Sequence, residues 1–198
     1  MKQAALDTTG MEQRHTSHHF RKRQEETQKK AKKAKKPKKQ KKSPFPKLGL
    51  LCDCLSHLVL GMKTGKGPAS DHPYFKPLLD QAAESVAIRQ LLGDAGFDAE
   101  HHHTYAQRQH GTQTIIPPTI GRPTAKPPTG ANRRRMKEQW ETKLRSEYGQ
   151  RWQVETVNSM VKRLLGSALR ALTAFSRARE MTLRLLTHNI MIIANHPP

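Results

Sequence analysis

Aromatic side chains are scarce in this chain. They make up 5% of its 198 residues, and all hydrophobic residues together make up 34%. Both values fall below those of an average globular domain, so part of the chain is expected to stay outside the packed core. The length suits one domain with a real core. Cysteine is nearly absent: Cys52 and Cys54 lie one residue apart in an apolar run. That spacing is poor for a mutual disulfide and supplies too few ligands for structural zinc. Two small buried thiols in a reducing cytosol are the expectation. Long apolar runs are missing as well. None approaches the ~20 residues of a membrane span, and the first residues have no apolar stretch long enough for a signal peptide. A soluble, cytoplasmic protein with no membrane partner is therefore expected. Acids are few: 16 Asp and Glu stand against 36 Lys and Arg, a formal net charge of +20. Such a surface favours a polyanion. Nucleic acid is the first candidate and an anionic membrane surface the weaker one.

Along the chain, residues 3–7 read as a short strand and Thr8-Thr9-Gly10 as a turn. A domain rarely opens so close to its first strand, so upstream sequence is expected to be missing. Residues 14–22 read as a second strand. From Lys29 to Lys42 there are ten lysines, no acid and no large apolar residue. Self-repulsion makes this stretch, within a flexible insertion over 24–46, a disordered loop. Residues 48–60 are apolar and bounded by Gly and Pro, which predicts one buried strand or two short ones. Residues 61–70 read as a Gly/Lys loop. Asp71 is placed to cap a helix over 72–85 that buries Phe75, Leu78, Leu79 and Ala82. A strand is expected to end near Gly93-Asp94. A helix over 99–109 should stop at Gly111, and Thr112–Ile116 reads as a strand before Pro117-Pro118. Residues 117–130 read as a loop. Helices follow from Arg133, with a break near Gly149 and a last helix over 168–193. Strands first, helices interleaved and helices last imply an α/β domain with a mixed sheet.

One helical segment carries most of the information. On a wheel of about 100° per residue with Tyr148 at zero, Arg151 falls near 300°, Glu155 near 340° and Lys162 near 320°. Val154, Val157, Met160, Val161 and Leu164 fall between about 120° and 240° on the same wheel. The helix thus has an apolar side and, beside it, a narrow stripe of one carboxylate, two cations and a phenol. Taken alone, Arg151 and Glu155 would be a surface ion pair worth under ~0.5 kcal/mol. The spacing Tyr148, Arg151, Glu155, Lys162 nevertheless matches without a gap the YREK signature of DDE transposases from bacterial insertion sequences. The surrounding words Tyr148-Gly-Gln-Arg-Trp-Gln-Val-Glu155 and Lys162-Arg-Leu-Leu-Gly166 also resemble that family. So does Asp94-Ala95-Gly96-Phe97, which fits the pattern around the family's second catalytic Asp. Its bland reading is a turn capping the next helix, for which Asp98 is the better cap. Leu6-Asp7-Thr8-Thr9-Gly10 is similar to the first-strand motif. Asp53, on the apolar strand, is the rival to Asp7 there.

The resemblance runs from Gln3 to about Asn195. It implies an RNase H-like mixed sheet flanked by helices, with the whole of residues 1–198 forming the catalytic domain and no room for an N-terminal DNA-recognition region. It also implies that Asp7, Asp94 and Glu155 are the catalytic, metal-binding acids. Two Mg²⁺ or Mn²⁺ ions would then support hydrolysis and strand transfer at transposon ends. Tyr148, Arg151 and Lys162 would contact DNA. Trp152 is expected in the core or at a hinge, with stacking on a base as its other use. The implied partners are transposon ends and target DNA, with a possible homodimer on DNA and association with the bacterial nucleoid. The alternative is a catalytically inactive remnant that binds DNA nonspecifically.

Three further features are set aside. Gly61-Met-Lys-Thr-Gly65-Lys66-Gly67 lacks the spacing and the Ser or Thr of a phosphate-binding loop, so no nucleotide cofactor is expected. His101-His102-His103 point in different directions on a helix, and neither they nor His15, His18 and His19 have an evident spaced partner set, so no metal site is expected there. The lysine tract is best read as a nonspecific DNA clamp.

Overall fold

The computed structural model describes residues 3–13, 22, 23, 26, 44–118 and 128–195. Five strands form one mixed sheet: β1 (Gln3–Gly10), β2 (Phe45–Asp53), β3 (Val59–Gly67), β4 (Gln90–Leu92) and β5 (Gln113–Ile115), in the order β3-β2-β1-β4-β5. β2 runs antiparallel to both its neighbours, while β1, β4 and β5 are parallel. Helix α1 (His72–Ala83) and helix α2 (Glu100–His110) cover one face. Then α3 (Ala131–Gln139), a π-helical turn (Trp140–Leu144), α4 (Arg145–Tyr148), a 3₁₀ turn (Gly149–Arg151), α5 (Trp152–Leu165) and α6 (Ala174–Asn195) complete the chain.

The strand period of two builds the domain around β1. Ala4 and Leu6 join a core with Phe75, Leu78 and Leu79 of α1, whereas Ala5 joins the opposite core with Val154, Val157 and Val161 of α5. Odd-numbered β1 residues therefore face α5, which aims Asp7 and Thr9 at that helix. The apolar side predicted for α5 is buried at Val154, Val157 and Val161, although Leu164 is exposed.

Several boundaries differ from the sequence reading. Thr8-Thr9-Gly10 is not a turn: these residues continue β1, paired with Gly49, Leu48 and Lys47. The apolar run over 48–60 is split between two strands, and the first seven residues of the loop expected over 61–70 are instead most of β3. Its glycines serve close packing. A Cβ on Gly61 would fall 2.6 Å from the Leu78 carbonyl oxygen, and Gly49 and Gly65 both leave room for the Tyr74 ring. Asp71 precedes α1 but makes no side-chain cap; it accepts a hydrogen bond from Thr8 Oγ1 at 2.5 Å and pairs with Lys47. Asp98 does not cap α2 either. Its buried carboxylate takes a two-pronged bond from Arg133, at 2.9 and 2.7 Å, tying the β4–α2 turn to α3.

Gly149 does not break the helical path. It stays right-handed, and the backbone tightens there into a 3₁₀ turn. The last helix begins at Ala174 rather than near 168. Ala168 bridges to Glu12, the Leu169 amide donates to the Glu12 carbonyl, and Thr173 Oγ1 accepts from the Ser176 amide at the helix start. The expected strand over 14–22 and the lysine tract lie outside the described residues, apart from Lys22, which is helical and exposed. Both cysteines are buried and free, and burial raises the Cys54 thiol to about 12. Among the described residues no helix is long and apolar enough to cross a membrane. The strand order, with β2 antiparallel to both its neighbours, and the helices on both faces define an RNase H-like α/β fold.

Candidate active site

The sheet brings the first two acids level. β1 and β4 are parallel neighbours with Ala5 opposite Leu92. Two residues further on, Asp7 and Asp94 sit at the same height, one within β1 and the other just past the end of β4. Asp94 is fixed by its own turn, where its Oδ1 accepts from the Ala95 amide at 2.7 Å. This makes Asp94 itself the cap of the 3₁₀ turn Ala95–Phe97. Glu155 enters from the first turn of α5.

Arg151 gathers the three. Its Nη1 donates to Glu155 Oε1, while its Nη2 lies 3.4 Å from Asp7 Oδ1 and 4.0 Å from Asp94 Oδ2. The Arg151 side chain is 15% exposed, and its Nε has no hydrogen-bond partner among the described residues. Burial works against its charge, but Tyr148, Asp7, Asp94 and Glu155 together raise its pKa. Asp7 is held above the usual carboxylate range. Burial is the main cause, Arg151 and the Thr8 amide oppose it, and the charges of Asp94 and Glu155 add to it. Three carboxylates that feel one another's charge, arranged about a single cation, offer the hard oxygen donors that small divalent ions such as Mg²⁺ or Mn²⁺ prefer.

Beside the acids runs an open groove of about 480 Å³, lined by Asp7, Thr9, Glu155, Asn158, Lys162 and Arg163 among others. Lys162 Nζ donates to Thr9 Oγ1 at 2.5 Å, and burial lowers its pKa. Tyr148 packs against Trp140, with ring centroids 5.1 Å apart, and burial lifts its phenol to about 12. Trp152 is not a core residue: it is 55% exposed. Asp53, the rival for the first acid, closes the β2–β3 connection by accepting from the amide and hydroxyl of Ser56.

Asn158 escaped the sequence reading. Its Nδ2 donates to Asp7 Oδ2 at 3.3 Å, so it steadies the half-buried carboxylate from α5. On the wheel used above it falls near 280°, about 20° from Arg151. The stripe itself would have found it, had amides been considered with the charged residues.

A mixed sheet of this order, flanked by helices, defines the RNase H-like class of domain. The family model for the transposase DDE domain matches residues 2–190, and the chain belongs to that family. Its functional class is that of a transposase, an enzyme acting on DNA. No curated protein matches the chain.

Proposed function

We propose that this transposase domain cuts and joins DNA strands by divalent-metal-dependent phosphoryl transfer at the ends of an insertion sequence of the YREK group. The observation that carries the reading is the convergence of Asp7, Asp94 and Glu155 on the one guanidinium of Arg151. These three acids would hold a pair of Mg²⁺ or Mn²⁺ ions. Bound there, such ions activate the attacking oxygen and stabilise the leaving one in an in-line displacement.

The remaining roles belong to the chain's own residues. Arg151 balances the acids' charge and can grip a phosphate with two parallel N–H groups. Lys162, anchored on Thr9, places a second cation along the groove for the DNA backbone. Tyr148 keeps its proton at neutral pH and so acts as a hydrogen-bond donor rather than as a phenolate nucleophile. Water attacks one phosphodiester, and the freed 3′-hydroxyl attacks another, with no covalent bond between enzyme and DNA. The lysine tract adds sequence-independent, salt-sensitive attraction, and two copies would pair on two transposon ends.

The test is a nicking and strand-transfer assay on DNA carrying the element's ends, with Mg²⁺ or Mn²⁺. Activity is expected to depend on the metal and to vanish in Asp7→Asn, Asp94→Asn and Glu155→Gln. Nicking that persists unchanged in any of these purified variants overturns the reading. DNA binding with no cleavage under either metal would favour a DNA-binding remnant instead.

A further inference from the structure

We propose that His72, His101 and His102 form a second metal site, built from imidazole rather than carboxylate, that takes Zn²⁺ or a similar borderline divalent ion. Each ring offers one nitrogen, and these ligand atoms all lie within 4.8 Å of one another. The ring centroids are 4.2 Å apart for His101–His102, 5.1 Å for His72–His102 and 6.2 Å for His72–His101. The run His101-His102-His103 offers no such set by itself. The third ligand comes from the first residue of α1, which the fold lays beside the first turn of α2.

His102 is the prepared member. It is 1% exposed and stacked on Phe75, with centroids 4.3 Å apart and planes 8° from parallel. Its Nδ1 lies 2.9 Å from the Phe97 carbonyl oxygen. A carbonyl only accepts, so Nδ1 carries the proton and Nε2 keeps its lone pair. A ring nitrogen held this way by a backbone carbonyl is the usual support of a metal-binding histidine. Burial, opposed by the Phe97 bond, brings the His102 pKa down to about 4, and burial with the neighbouring cations lowers that of His101. His103 belongs elsewhere, with Nδ1 against Thr114 Oγ1 at 2.6 Å.

The chemistry selects the ion. Three imidazoles without a carboxylate suit Zn²⁺, Co²⁺ or Ni²⁺ and are a poor cage for Mg²⁺. Zinc–nitrogen bonds of about 2.0–2.1 Å place tetrahedral partners about 3.4 Å apart. The ligand nitrogens, up to 4.8 Å apart, must therefore close by up to about 1.4 Å, by rotation of His72 and His101, neither of which belongs to the buried core. Occupancy would also join α1 to α2 across the turn Ala95–Phe97, whose cap is Asp94 and whose last carbonyl holds His102. The site would therefore brace an acid of the catalytic set without sharing its ion. Its existence does not depend on the cleavage chemistry proposed above.

The experiment uses the full chain stripped of metal and titrated with Co²⁺ alone, followed by visible d–d absorption and then by displacement with Zn²⁺. One equivalent with an imidazole-type spectrum is expected. It should persist in the Asp94→Asn/Glu155→Gln double variant and in a variant without His15, His18 and His19. Affinity should fall at least tenfold in His72→Ala and in His101→Ala, with circular dichroism unchanged. Zn²⁺ should raise the Tm of the parent but not of His72→Ala. Co²⁺ binding that is absent in the parent, unaltered by His72→Ala, or lost with the carboxylate variants overturns the proposal.

Discussion

Arg151, at the end of the 3₁₀ turn that leads into α5, holds its Nη2 3.4 Å from the Asp7 carboxylate on the central strand, across 144 residues of sequence. The contact joins the two halves of the domain at the point where the chemistry is proposed. It also places a cationic side chain where three acids would otherwise repel one another. Arg151 thus has a role within the folded domain itself: it offsets part of the charge of the acids that surround it.

The raised pKa of Asp7 gives a stability prediction with a definite sign. Burial penalises its charged form more than Arg151 and the Thr8 amide compensate. A carboxyl whose folded pKa exceeds its unfolded value binds protons more tightly when folded. Its contribution to stability is fully present below the unfolded value of 3.8 and is lost as pH rises through the folded value. Asp7→Asn cannot titrate. Without divalent metal at neutral pH it should therefore be more stable than the parent, by about 0.5–2 kcal/mol, the range common for a single stabilising substitution. The advantage should shrink as the pH approaches 3.8. Thermal unfolding at several pH values checks this, and an unchanged or lower Tm at pH 7 contradicts it.

Arg151 can be tested on the same carboxyl. Removing the guanidinium in Arg151→Ala takes away the largest influence that lowers the Asp7 pKa, so that pKa should rise further. The acid limb of the nicking profile should move to higher pH. The rate itself should fall roughly 10²–10³-fold, as when one preorganised charge is lost from a transition state. Arg151→Lys should restore the position of the acid limb better than the rate, because an ammonium keeps the charge but not the two-pronged grip. NMR titration of the Asp7 carboxyl, alongside the rate profile, separates the two effects.

The pair Asp98–Arg133 predicts a structural loss. The Asp98 side chain is fully buried while that of Arg133 is 21% exposed. Removing one partner of a buried pair typically costs ~3–5 kcal/mol, and partial exposure of Arg133 puts Asp98→Ala near the lower end, about 3 kcal/mol. Asp98 follows directly on the turn that Asp94 caps, so α3 should loosen from that turn as well. Denaturant unfolding measures the cost, and a change under about 1 kcal/mol would show that the pair contributes little.

How far the sequence revealed these features depended on whether local or distant contacts decide them. The stripe on α5 was legible because helical period alone places Arg151, Glu155 and Lys162 together. Phe75, Leu78, Leu79 and Ala82 were legible as the buried side of α1 for the same reason. The length of β3 was not. Its glycines resemble a loop until α1 is laid across them, and only the close approach of Leu78 and Tyr74 explains them. Asp71 looked like a cap because it precedes a helix, but Thr8 and Lys47, distant in sequence, take its carboxylate. Asp98 was misread in the same way, since Arg133 lies on a helix whose docking no local pattern predicts. His72 was invisible as a partner of His101 and His102 because only the packing of α1 beside α2 brings them together.

Trp152 is the place where the structure most changes the expected role of a residue. Expected in the core or at a hinge, with base stacking as its other use, it is 55% exposed at the first position of α5, three residues before Glu155. A large apolar ring kept in water contributes little to folding. Trp152→Ala should therefore shift stability by no more than about 0.5 kcal/mol. If the ring stacks on a base of the bound strand, the same change should weaken DNA binding by ~1–3 kcal/mol, roughly 5–150-fold. Fluorescence makes the prediction sharper, because the chain has two tryptophans and Trp140 packs against Tyr148. Quenching on addition of single-stranded DNA should come from Trp152 and disappear in the variant. Full quenching retained by Trp152→Ala, with unaltered affinity, would remove this residue from the DNA-binding surface and leave the groove between Asp7 and Arg163 as the path of the strand.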